Sequence, residues 1–459
     1  MHWSNKWILP LIMKLAPNKQ DQNIIEMIIM KIFNKTLIAV SVALVSTQTM
    51  AAGFQINAQS ATGIGRAFAG DAVIADNASV LSRNPAAMAL FDEKQLSMGL
   101  TYADVQVEVQ DVFVNSNLGE LHFGNVDDGA EAKVIPNFYY VSPVNDKFAY
   151  GVAMFSNFGT GTDTTELSNN IAMGAIPAPI DLLGKTEVTT INFNLSASYR
   201  INDNFSVGAG LDVIYGSGTL TRGGAMPTGA DPVHVELVDV DADGIAFGGI
   251  VGAVYEINAD NRFGVSYRFS PEFTADGTVM FAGTDYQEIN IPLPDIFQVA
   301  GFHQLTDTFA LHYTAQMTTW GDFHEITVTD PAEAQLKKYA WDDSWLFSVG
   351  GTYTLTDKWT LRAGYMFDQG VVGEVSSISI PDSDRQWYTM GATYNLSKHT
   401  SLDFGIAFVR GEETNLTEQS SVLGLVGNLN PALGDDLSTV HATTTSNATY
   451  YSIQYNYKF

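Results

Sequence analysis

The run Asp239-Val240-Asp241-Ala242-Asp243-Gly244 opens as a calcium loop does, with carboxylates at positions one, three and five and glycine at six. Position twelve is Ile250, where a bidentate glutamate is required, so an EF-hand is excluded and only adventitious divalent binding in an acidic loop stays open. The eight histidines, among them His122, His234, His303, His312 and His324, form no HExxH or other close metal pair. His312 falls between Leu311 and Tyr313 in an alternating stretch, where it is expected to point inward rather than to a metal. Gly63-Ile64-Gly65 lacks the third glycine and the preceding strand of a dinucleotide loop. Neither a GxSxG elbow nor a phosphate-binding GxxxxGK[ST] occurs. With no cysteine there is no disulfide, thiolate metal site or Cys nucleophile. No catalytic residue, cofactor or resident metal is expected, and the chain does not read as an enzyme.

If these residues make and break no bonds, function must lie in surfaces. Of 459 residues 46% are hydrophobic and 11% aromatic but only 16% charged, a balance that suits an apolar exterior and excludes disorder. The net charge of −27 argues against a nucleic-acid partner, which would need a basic face.

From Met30, Lys31 and Lys35 precede the apolar stretch 36–45 and then small residues ending at Ala51, the order of a secretory signal peptide over residues 30–51. Residues 1–29 read as an upstream extension from a misplaced start codon. The apolar core of the signal is far shorter than the ~20 residues that span a bilayer, and no later segment offers 18 consecutive apolar residues. The chain is thus expected outside the inner membrane, either soluble or as a barrel.

Beyond residue 94 a two-residue period dominates. In Phe205-Ser206-Val207-Gly208-Ala209-Gly210-Leu211-Asp212-Val213 the odd positions are apolar and the even ones small or polar, and 309–317 repeat the pattern. Strands are expected near 94–109, 133–142, 147–157, 187–200, 204–216, 245–257, 262–270, 296–305, 309–320, 343–355, 358–367, 385–396, 400–410 and 448–459. Most have about the ten residues that a tilted strand needs to cross hydrocarbon. Tight polar turns, such as 143–146 and 201–203, alternate with long connections at 158–186, 217–244 and 411–447. That asymmetry is expected of an outer-membrane barrel. The fold class is therefore all-β, a 14-stranded antiparallel transmembrane β-barrel over 94–459. Tyr199, Tyr215, Tyr255, Tyr267, Trp320, Trp345, Tyr353, Trp359, Trp387 and Tyr394 are expected in its interfacial girdles. Residues 52–93 lack alternation and read as brief helices broken by glycine and Pro85, too small to fold alone and suited to plug the lumen.

The mature start Ala52-Gly53-Phe54-Gln55-Ile56-Asn57, then Gly63-Ile64-Gly65-Arg66-Ala67, Ile74-Ala75-Asp76 and Ser82-Arg83-Asn84-Pro85-Ala86, resembles the plug of the FadL/TodX-type long-chain fatty-acid transporters. Ser156-Asn157-Phe158-Gly159, the segment 377–385 and the terminal Phe459 resemble later landmarks of that family. The resemblance implies a passive transporter in the Gram-negative outer membrane, closed by an N-terminal hatch and releasing hydrophobic cargo sideways. By similarity, a third-strand kink at Asn157, Phe158 and Gly159 forms the wall gap. Leu220 and Arg222 match an apolar wall residue and one carboxylate-binding cation, Lys337 the other cation, with Lys338 leaving the register open, and Phe54 and Val240 further apolar contacts. Asn84, Pro85 and Ala86 belong to the hatch, and Asp368 matches an acidic residue associated with it. Implied partners are a long-chain fatty acid or other hydrophobic small molecule, with outer-membrane lipid and lipopolysaccharide around a monomer. The competing readings are a general porin for hydrophilic solutes, a barrel hydrolase and an adhesin.

Overall fold

The alternation resolves into fourteen antiparallel strands, each paired with the next in sequence. They are β1 Gln95–Ser116, β2 Lys133–Pro143, β3 Phe148–Phe155, β4 Lys185–Asn202, β5 Phe205–Met226, β6 Val233–Asn258, β7 Asn261–Phe269, β8 Ile296–Thr306, β9 Phe309–Thr318, β10 Ser344–Thr354, β11 Trp359–Asp368, β12 Arg385–Asn395, β13 Thr400–Gly411 and β14 Thr439–Lys458. The last strand returns to the first from Gln95↔Lys458 to Val114↔Val440, so the sheet closes into a barrel without an edge. The computed structural model describes residues 53–173, 175–228, 231–373, 376–434 and 436–459. The upstream extension and signal peptide expected over 1–29 and 30–51 lie outside the described residues.

Along the middle of the wall the outward side chains are apolar and exposed, as at Leu100, Leu195, Leu211, Phe247 and Val251, while inward ones such as Ser206 and Asp212 are small or polar. Above this band the phase inverts. On β6 the outward odd positions change from Ile245, Phe247 and Val251 to Asp239, Asp241 and Asp243, and the inward even positions become Val238, Val240 and Ala242. The sheet thus presents apolar groups to an acyl phase outside at one level and to its own core at the next.

The inversion revises two expectations. The connections expected as loops at 217–244 and 411–447 are in good part strand: β5 and β6 run past the tight band, Glu272–Phe281 pairs on β6, Thr284–Pro292 and Glu325–Thr329 carry the layer onward, and Thr414–Gln419 pairs with β14. The three aspartates of the calcium-like run lie on an extended strand, about 7 Å apart on its outer face, and do not wrap around an ion. Among the described residues no group of acids and histidines is placed to hold a metal.

Two girdle assignments are corrected. Trp320 and Trp387 are fully buried, packed on Phe54 and on Phe68 with Tyr450. Tyr199, Tyr255, Trp345, Tyr353 and Trp359 do face outward. Tryptophan at a strand end satisfies both environments, so type and position did not separate them.

Residues 53–93 fill the lumen. The helix α1 (Ala61–Gly65) is capped by Ser60, and the 3-10 turns Ala78–Ser82 and Pro85–Leu90 are capped by Asn77 and Asn84. The wall carries glycine where the plug touches it: a Cβ on Gly208 would lie 2.4 Å from Ala86 N, and one on Gly252 would lie 2.1 Å from Asn84 Oδ1.

A largely buried ion network, with Asp76 partly exposed, holds the plug to the wall. Arg66 binds Asp71 at 2.8 Å and Asp76 at 2.9 Å, and Asp76 also accepts from Arg362 of β11 at 3.3 Å. Burial alone would push the Asp76 carboxyl up, but the Arg66 and Arg362 guanidiniums outweigh it and hold the group below the ordinary carboxylate range. A depressed carboxyl contributes its stabilisation above its unfolded value, ~3.9, and loses it as pH falls through the lower folded one. We expect bilayer conductance to stay closed from neutral pH down to about 4. Asp76→Asn should produce openings at neutral pH; an equally quiet variant would show that this bridge does not seat the plug.

Candidate functional site

The pairing of β5 with β6 sets Leu220 directly opposite Val240 and Arg222 opposite Val238, all four buried. Side chains two apart on one strand share a face, so the apolar wall residue and the cation project into the same space. Two cavities meet there. The deeper is a slot of about 50 Å³ lined by Phe54, Leu220, Val240, Phe273, Ile291 and Phe323 among others. The outer is a chamber of about 750 Å³ whose lining includes Leu220, Arg222, Lys337, Lys338, Tyr339 and Glu418. Leu220 is common to both linings, so slot and chamber adjoin at that residue.

The slot ends on an aromatic box. Phe54 packs edge-on against Trp320 at 4.7 Å, Phe323 at 5.2 Å and Phe158 at 6.0 Å between ring centroids. Its backbone neighbour Gly53 donates to Asp382 Oδ1 at 3.2 Å, and Asp382 also accepts from Val371 N and from Arg385. Burial pushes the Asp382 carboxyl up even with Arg385 beside it. The front of the plug is thereby pinned to the segment between β11 and β12.

Arg222 donates to the carbonyls of Lys185 and Thr221 at 2.9 and 2.6 Å and to Thr186 Oγ1 at 2.7 Å. All these acceptors are neutral, and among the described residues Arg222 is in no ion pair. Lys337 is paired with Glu418. In the hairpin of Glu325–Thr329 with Ala334–Lys338, Lys337 lies opposite Ile326, is half-buried and bonds inside the chamber, while Lys338 is exposed.

The third strand is interrupted between Phe155 and Gly159. β3 leaves β2 after Phe138↔Met154, and the chain resumes as Gly159–Asp163, paired only with β4. The interruption is not made by a left-handed glycine, because Gly159 is not among the glycines with positive φ. It is made by an exchange of partners. Ile56 N donates to Asn157 O and Gly159 N to Phe54 O, both at 2.7 Å, while Thr190 Oγ1 of β4 accepts from Phe158 N and donates to Phe158 O. The plug thus replaces the missing rungs. The rungs reappear above, where Asp163 N donates to Gly129 O. Between the two closures the ladder from β2 to the third strand is open, and Asn137 and Asn157 carry buried amide atoms with no protein partner there.

The hatch residues divide. Asn84 spends its side chain on the carbonyls of Ala72, Ala253 and Val265 and on Ala86 N, towards β6 and β7. Pro85 and Ala86 press on Gly208 of β5. Asp368 lies elsewhere, buried at the end of β11 opposite Arg385. The resemblance associated it with the hatch and Asn84; the structure sets Asp368 on β11 and Asn84 on the plug beside β6 and β7. Sequence reading missed Phe273, Ile291, Phe323, Trp341, Thr190 and Glu418; the first two stood in alternating runs inside segments taken for loops.

Residues 42–459 match the family described as outer membrane protein transport protein (OMPP1/FadL/TodX). The chain belongs to that family. It is therefore an outer-membrane protein of a transport family rather than an enzyme, and the exposed apolar band of its wall is the membrane-crossing zone. It is 31% identical over 428 residues to the long-chain fatty acid transport protein of Escherichia coli O6:H1, covering 84% of this chain and 93% of that one. It is 32% identical over 485 residues to outer membrane protein P1 of Haemophilus influenzae, covering 94% and 100%. Its fold superposes on a FadL homologue of Pseudomonas aeruginosa with a TM-score of 0.73 at 22% identity, over 89% of this chain and 100% of that one. The toluene transporter TodX of Pseudomonas putida shares the fold with a TM-score of 0.61 at 18% identity, over 89% and 100%.

Proposed function

We propose that this protein carries long-chain fatty acids, or closely related amphiphiles, across the outer membrane without an energy source, binding the head in the outer chamber and the tail in the slot. The single observation that carries the reading is that Leu220 lines both an apolar slot and the chamber that holds the buried Arg222 guanidinium. Each methylene taken from water contributes ~0.8 kcal/mol, and a guanidinium forks onto a carboxylate with two hydrogen bonds. The names of the relatives, fatty-acid transport proteins among them, support the same cargo.

Release is sideways. The tail end of the slot is Phe54, whose carbonyl bonds Gly159 at the break between β2 and β3, so cargo leaving there enters the lipid phase and need not pass the plug. The protein works as a monomer, with its apolar band in outer-membrane lipid and its acidic rim beside lipopolysaccharide. A general porin is disfavoured by the lumen-filling plug, and a toluene-type cargo would leave Arg222 without a role.

Proteoliposomes test the proposal. We expect them to show no swelling in sucrose and to take up a long-chain fatty acid faster than protein-free vesicles. Swelling without fatty-acid uptake would establish the porin instead.

A further inference from the structure

Of the three cations that line the outer chamber, Lys338 is exposed and the other two are of unequal standing. Arg222 hydrogen-bonds neutral acceptors only, with the Glu418 and Asp181 carboxylates near but not paired with it, whereas Lys337 is paired directly with Glu418. The Glu418 side chain is 4% exposed and that of Lys337 is 20% exposed, so little water screens the pair. The second Glu418 oxygen accepts from Ile378 N at 2.7 Å. The residue sits near the end of Thr414–Gln419, opposite Val440 of β14. The other chamber carboxylate, Asp181, is committed to capping: it accepts from Ser420 Oγ and Ser421 N at 2.6 and 2.7 Å, at the start of the helix Ser421–Leu429.

We propose that Glu418 is a specificity-determining residue, a built-in counter-ion that occupies on Lys337 the place a ligand carboxylate would take. A fatty acid reaching Lys337 has to displace it, and a neutral amphiphile does not. Glu418 therefore lowers the advantage of charged over uncharged heads and leaves Arg222 as the buried chamber cation outside an ion pair, Lys338 being exposed. The displaced carboxylate keeps its bond to Ile378 N, so the exchange needs only a rotation of the Glu418 side chain. This inference rests on the reading that ligand heads sit in the outer chamber.

The test is binding of a long-chain fatty acid and of the alcohol of equal chain length to the purified full-length mature protein and its variants in neutral detergent. Glu418→Gln retains an oxygen for Ile378 N and removes the charge. It should tighten binding of the acid about tenfold, the size of one charged hydrogen bond, and leave the alcohol within about twofold. Lys337→Met should weaken the acid, because Glu418 is then an unmatched negative charge, and the double variant Lys337→Met with Glu418→Gln should restore it. Far-UV circular dichroism checks that each variant retains its barrel. An unchanged or weakened acid affinity in Glu418→Gln, a parallel change for acid and alcohol, or a double variant no better than Lys337→Met would overturn the proposal. If the wild type binds neither ligand, the chamber reading itself fails; if it binds both and ignores Glu418→Gln, only the counter-ion role does.

Discussion

Replacing Arg222 by methionine weakens binding of a long-chain fatty acid by roughly 10- to 100-fold and leaves the alcohol of equal length within about twofold. The magnitude follows from hydrogen bonds to a charged group, about 1.5–3 kcal/mol, in a site that water reaches poorly. Methionine keeps an apolar stem of similar reach, so packing against Leu220 and Val238 is preserved and the difference reports the head group. The three neutral acceptors of Arg222 lose a donor in both measurements, which is why the alcohol is the control. Equal weakening of acid and alcohol would show that Arg222 supports the wall and does not read the carboxylate.

Val240→Asp has the opposite signature. Val240 is 2% exposed, opposite Leu220, and lines the slot but not the chamber. A carboxylate there sits among apolar side chains, and an unpaired ionised group in such surroundings costs several kcal/mol or takes up a proton and remains polar. Acid and alcohol should both lose more than about 100-fold in affinity, and uptake into proteoliposomes should fall with them. Val240→Ala, which only enlarges the slot, should stay within a few-fold for both ligands. An alcohol that still binds Val240→Asp normally would place the tail outside the slot.

Much of the wall was legible because a membrane imposes a strict grammar. Every strand that crosses it alternates, and the turns at one end, such as 201–203 and 356–357, are short and polar. What lay above the membrane was not read, because the alternation inverts at Gly244 on β6 and near Gly216 on β5. A search for apolar residues on the lipid face finds none there and reports a loop. Phe273 and Ile291 were hidden by the same inversion although they form the slot. The resemblance pointed to Asn157, Phe158 and Gly159, where the third strand breaks off, but the bonds made there with Phe54, Ile56 and Thr190 join residues too distant in sequence for any local pattern to show. Leu220, Arg222, Val240 and Phe54 were named by resemblance, and the structure gathers them around two adjoining cavities. Glu418 had no signal at all, since a glutamate between Thr417 and Gln419 looks like any solvated loop acid.

The position of a bound ligand decides between these possibilities in a single experiment. Anomalous diffraction from crystals grown with a long-chain fatty acid brominated at its methyl end locates the tail without reference to the fit of the rest. Head-outward binding places bromine in the slot, within reach of Phe54 and Phe273, and the carboxylate against Arg222. Bromine on the outer face of the wall, or a reversed ligand with its carboxylate beside Phe54, would refute that orientation.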